Sequence, residues 1–136
     1  MSVPESKRSQ GKLEVITKTL DLATYTLTIT SNKKIFKPEY DHSITDKLNE
    51  TATNIFVDCW TANNVRVITP EHLKVRTELQ QRAARNCNVL LALIQLAKKL
   101  FHLDTKRVRY WGNKILDCRN LIRAWREADI KRYDKP

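Results

Sequence analysis

Six apolar side chains near the C-terminus, Val108, Trp111, Ile115, Cys118, Ile122 and Trp125, are separated by three, four, three, four and three residues. That spacing returns to one side of a 3.6-residue turn each time. It draws one apolar stripe along a helix and cannot suit a strand, whose faces alternate every second residue. The same rhythm runs through the rest of the chain. Leu13, Ile16, Leu20, Ala23 and Leu27 mark a first helix. Ile44, Leu48, Ala52, Ile55, Cys59 and Ala62 mark a second, with Phe56 and Trp60 alongside. Leu73, Leu79, Ala83, Cys87, Leu90, Ile94, Ala97 and Phe101 mark a third. Two glycines and four prolines in 136 residues are too few for a fold of hairpins or phosphate-cradling loops. The expected fold is all-α, an antiparallel up-down four-helix bundle over residues 11–133, with tails at 1–10 and 134–136.

Local signals place the helix ends. Tyr25-Thr-Leu-Thr-Ile-Thr30 alternates like a strand, yet the three-four spacing begins earlier and no partner strand exists, so a helix is expected. Pro38 makes a loop of residues 32–42, onto which Phe36 and Tyr40 should pack. Ser43 with Asp46 reads as a capping box for the second helix. Thr69-Pro70-Glu71 opens the third, and Leu103-Asp-Thr105 caps the fourth, in which Gly112 suggests a close helix contact. Val89-Leu-Leu-Ala-Leu-Ile94 is apolar nearly all round, which points to burial on a second side, as at an oligomer interface.

Charge narrows the partner. Lys and Arg total 25 against 15 acidic residues, a formal +10, and such an excess favours a polyanion through counterion release. Residues 104–136 carry ten basic side chains against five acidic ones, and residues 67–103 six against two. Arg119, Arg123 and Arg126 follow i, i+4, i+7 and share a helix face. Lys106, Arg107, Arg109 and Lys114 add charge near the start of that helix, and Arg82 and Arg85 are neighbours on the third. These nine are the candidate nucleic-acid or partner-binding residues, arginine's planar fork suiting phosphate oxygens. The competing role for any one of them is a local pair with Asp117, Glu127 or Asp129.

Catalytic signatures are missing: no Gly-rich phosphate loop, zinc-protease helix or nucleophile elbow occurs, so an enzyme is not expected. His42, His72 and His102 sit at helix ends or loops, and no cofactor or metal is expected. Cys59, Cys87 and Cys118 fall on apolar stripes, where free thiols behave as small hydrophobes, which fits a reducing, cytoplasmic compartment. The polar N-terminus lacks a signal peptide and no stretch approaches a membrane span.

Gly11-Lys-Leu-Glu-Val15, Phe101-His-Leu103, Tyr110-Trp111-Gly112 and Leu121-Ile-Arg-Ala-Trp-Arg126 resemble the accessory variability determinant proteins of diversity-generating retroelements. These are similar to the four-helix proteins encoded in intervening sequences of ribosomal RNA genes. The resemblance runs from Gly11 to Tyr133. It implies a basic homo-oligomer, a pentamer, that binds the element's reverse transcriptase and its template RNA and supports mutagenic cDNA synthesis. A non-enzymatic protein–protein adaptor and an intervening-sequence bundle protein stand as the alternatives.

Overall fold

The computed structural model describes the backbone of residues 5–133 and the side chains of residues 11–133. Four helices account for most of it: α1 Glu5–Thr30, α2 Asp46–Asn63, α3 Pro70–Phe101 and α4 Thr105–Tyr133, with a 3-10 turn at Pro38–Tyr40 and a π-turn at Asp41–Thr45 between α1 and α2. Helix α1 begins at Glu5, so residues 5–10 of the expected N-terminal tail start the first helix; residues 1–4 and 134–136 lie outside the described residues. Each helix packs on the next, and α1 closes back on α4. Cross-helix bonds give the directions. Thr30 meets Asn49, while Trp111 meets Thr26 and Cys118 meets the Lys18 carbonyl. Arg119 meets Asn88, and Arg126 meets the Thr77 carbonyl. Along α4, rising numbers pair with falling numbers on both α1 and α3, as in an antiparallel up-down bundle.

The apolar stripe of α4 lies in the core as its spacing requires: Val108, Trp111, Ile115, Cys118, Ile122 and Trp125 are all buried. So are Ile44, Leu48, Ala52, Ile55, Cys59 and Ala62 against Ala83, Cys87, Leu90, Ile94 and Ala97. Phe36 is fully buried and packs 5.0 Å from Phe101 and 6.5 Å from Trp111, and Tyr40 packs 5.8 Å from Phe101, so both aromatics anchor the loop.

Helix α1 corrects the reading of its stripe. Leu13, Leu20 and Leu27 are exposed, and the buried line is Val15, Thr19, Leu22, Thr26 and Thr30, with Ala23 beside it. A threonine can face the core because its hydroxyl is satisfied within the helix. Thr19, Thr26 and Thr30 donate to the carbonyls four residues back at 2.8, 2.9 and 2.8 Å. The same bonds satisfy the hydroxyls of the strand-like Tyr25–Thr30 segment, which runs as helix with Leu22, Thr26 and Thr30 packed inside. Thr26 Oγ1 also accepts the Trp111 indole N–H at 3.1 Å, which lets that tryptophan be wholly buried.

Three smaller expectations change. Ser43 does not cap α2: its hydroxyl donates to the Tyr40 carbonyl, while Asp46 meets His42. Trp60, expected among the core aromatics, is 53% exposed. A Cβ on Gly112 would meet Ile94 and Leu91 at 3.8 and 4.0 Å, ordinary contact distances, so packing does not require glycine there. The α3 cap is as expected. Thr69 Oγ1 accepts the His72 N–H at 3.2 Å and His72 Nδ1 accepts the Thr69 N–H at 3.2 Å, with Pro70 in the first turn.

Candidate nucleic-acid interface

The nine candidate cations do not form one face. Two are occupied. Arg82 forks onto Asp58 of α2, Nε to Oδ2 at 2.9 Å and Nη2 to Oδ1 at 2.7 Å. Asp58 is buried, so the guanidinium serves chiefly to neutralise an interior carboxylate. Lys114 turns toward α1, donating to Asp21 at 2.6 Å with its ammonium 4.8 Å from the Tyr110 ring centre and 5.4 Å from that of Tyr25. The hydrogen bond to Asp21 holds the lysine above the ordinary lysine range.

The other seven, Arg85, Lys106, Arg107, Arg109, Arg119, Arg123 and Arg126, meet no carboxylate within ion-pair distance among the described residues. The local acids that could have claimed them are engaged elsewhere or stand apart. Glu127 pairs with Lys131, and Asp129 with Arg76 and Arg132. Arg119, Arg123 and Arg126 run along the seam between α3 and α4. Arg119 Nη1 donates to Asn88 Oδ1 at 2.8 Å and Arg126 Nε to the Thr77 carbonyl at 3.0 Å. Both anchors are uncharged, so the positive charge stays uncompensated while the side chain is held in place. Arg123 is exposed between them, and Arg85 lies one turn before Asn88 on α3. Lys106, Arg107 and Arg109 cluster in the first turns of α4, where Asp104 accepts the Lys106 N–H at 3.1 Å.

Other cations of the third helix lie outside that candidate set. Lys98, Lys99 and His102 line an open cleft of ≈ 470 Å³ with Gln95 and Leu103 at the C-terminal end of α3. His102 takes the left-handed conformation that ends the helix, φ 54°. The paired lysines ahead of a helix end were the signal, since cations are favoured beside exposed terminal carbonyls. This cleft and the start of α4 flank the same turn.

A second polar cluster is buried and structural. Arg76, 3% exposed, donates to Asp129 at 2.7 and 3.4 Å and to the Val65 carbonyl at 3.1 Å, and lies over the Trp125 ring at 5.3 Å. Gln80 Nε2 also donates to Asp129 at 2.7 Å. Lys12 approaches the same cluster; burial lowers its pKa, and the neighbouring Arg76 guanidinium lowers it further.

The three thiols are buried and free. Burial pushes Cys87 and Cys118 up to about 12 and Cys59 higher still, so none is a thiolate nucleophile near neutral pH. No group of three His, Cys, Asp or Glu side chains among the described residues could hold a metal ion. No helix among them is long and apolar enough to cross a membrane. Compared with family models, characterised proteins and solved structures, the chain matches none.

Proposed function

We propose that this protein is a non-enzymatic accessory subunit that binds nucleic acid through the α3–α4 seam and the adjoining start of α4. Its role on this reading is to associate with a retroelement reverse transcriptase and its template RNA in support of mutagenic cDNA synthesis. The observation that carries the nucleic-acid part is the set of seven cations without a carboxylate partner among the described residues. Four of these are guanidinium groups on, or one turn from, a single seam, two of them fixed by neutral acceptors. Such an array presents forked donors at low ordering cost to phosphate oxygens. The reverse transcriptase, the template and assembly as a pentamer come to this reading from the resemblance of Gly11–Val15, Phe101–Leu103, Tyr110–Gly112 and Leu121–Arg126 to the accessory variability determinant proteins.

The test is binding of a structured RNA by fluorescence anisotropy, with a neighbouring reverse transcriptase as co-purification bait. Wild-type protein should bind RNA and the polymerase, and Arg119→Ala/Arg123→Ala/Arg126→Ala should lose RNA affinity while keeping its helical circular dichroism. A protein that ignores RNA and captures one acidic protein instead supports the adaptor alternative and defeats this reading.

A further inference from the structure

The surface formed by α1, α2 and the α2-facing side of α3 has an unusual makeup. Leu13, Leu20 and Leu27 recur every seven residues on α1 and are all exposed, Leu13 at 67%. Leu13 and Ile16 share a groove with Trp60 of α2, so this line borders α2. Val57, also exposed, lies one turn before Trp60. On the other side of α2, Val75, Val89 and Leu96 lie on α3 at steps of seven from Arg82, whose fork onto Asp58 shows that this line also borders α2. Three adjacent helices therefore present one apolar face centred on α2. Each of these eight residues is 43–67% exposed, and large apolar side chains gathered on neighbouring helices, unlike ones scattered singly, mark an interaction surface.

Charge identifies the occupant. Residues 11–63, which hold α2 and the described side chains of α1, carry six basic side chains against seven acidic ones; residues 64–136 carry seventeen against seven. Arg82, the one guanidinium on the α3 line, is neutralised by Asp58. Between the apolar lines α2 offers the exposed, uncharged Asn54 and Thr61 and, one to two turns earlier on the same face, the exposed Lys47 and Glu50, whose opposite charges offset. Two molecules of formal charge +10 repel when basic seams approach, within a screening length of ~8 Å. On the α2-centred face they meet with almost no net charge, since Arg82 is paired with Asp58 and Lys47 stands beside Glu50.

We propose that the α2-centred face, bounded by Leu13/Leu20/Leu27 and Val75/Val89/Leu96, is where copies of this chain pack against one another. The sequence reading places such an interface at Val89–Ile94 in the middle of α3; Val89 lies on this face, but Leu90 and Ile94 are inside the bundle and Leu91 and Leu93 are partly buried against its core. A closed pair uses the face on both partners; a ring sets its α1 edge against the α3 edge of the next copy. The inference supplies the surface for the self-association in the reading above and rests on that reading for nothing else.

Sedimentation velocity on the full chain across 1–100 µM tests it. Wild type should sediment as an integer multiple of 15.9 kDa. Leu20→Glu and Trp60→Glu should each weaken association at least 100-fold and give monomer, while Asn120→Glu on exposed α4 leaves the mass unchanged. Since Leu20 and Trp60 are exposed, circular dichroism should be unaltered. A readout that disrupts nothing accompanies these variants: maleimide labelling of Thr24→Cys, one turn from Leu20, should slow at least tenfold as concentration rises, and labelling of Asn120→Cys should not. Monomeric wild type at 100 µM, glutamate variants that stay assembled, or concentration-independent labelling at Thr24→Cys would each overturn the proposal. RNA anisotropy on the same samples fails separately if only the seam is misread.

Discussion

Removing the Asp129 carboxylate should destabilise the bundle more than any surface change. Asp129 is fully buried and receives Arg76 Nε at 2.7 Å, Arg76 Nη2 at 3.4 Å and Gln80 Nε2 at 2.7 Å. In Asp129→Ala the guanidinium keeps only the Val65 carbonyl and the Trp125 ring, inside an environment that cannot hydrate it. Orphaning one partner of a buried ion pair costs about 3–5 kcal/mol. A domain of this size has a total stability of ~5–15 kcal/mol, so the loss is a large share of the whole. Urea denaturation followed by circular dichroism at pH 7 should show the midpoint falling at unchanged slope. The double variant Arg76→Met/Asp129→Leu should recover most of the loss, because it removes the charge along with its partner. A single-variant loss below about 1 kcal/mol, or a double variant no better than the single, would refute this account of the cluster.

Three further outcomes follow. Arg82→Ala should lower stability by leaving Asp58 buried and unpaired while RNA affinity stays within about twofold of wild type, because that guanidinium is already taken; a tenfold affinity loss in anisotropy would contradict the assignment. The three thiols should resist Ellman's reagent at pH 8 in the native protein and all react in denaturant, since burial keeps them protonated; a fast native stoichiometric reaction would show otherwise. Lys12→Met should raise the melting temperature at pH 7. The folded pKa of Lys12 is lowered, so its charge opposes folding below that value. The opposition fades as pH rises through it toward ~10.4, the ordinary lysine value. The gap between variant and wild type should therefore close above about pH 10.5, and a variant less stable at pH 7 would reverse the sign.

What the sequence revealed depends on how each helix buries itself. Helix α4 was legible because its interior residues are large and apolar at unbroken three-four spacing, from Val108 to Trp125. In α1 the leucines outweigh threonines in any apolar pattern, yet Thr19, Thr26 and Thr30 go inside because hydroxyl-to-carbonyl bonds along the helix satisfy them. Leu13, Leu20 and Leu27 are thereby left on the surface. Trp60 was misplaced with them, since it borders the same strip. The Arg76–Asp129 pair spans 53 positions and nothing local marks it. The candidate cations were found as residue types in clusters; their division came only with the partners of Arg82 and Lys114, each on a different helix.

The most direct measurement is the salt dependence of affinity for a single-stranded RNA, for wild type and for Arg119→Ala/Arg123→Ala/Arg126→Ala. Each phosphate neutralised contributes about 0.7 to the slope of log Kobs against log salt for a single strand, so the wild-type slope should be steep and the triple variant's shallower by about 2. Equal slopes for the two proteins, or a wild-type affinity indifferent to salt between 50 and 200 mM, would contradict it.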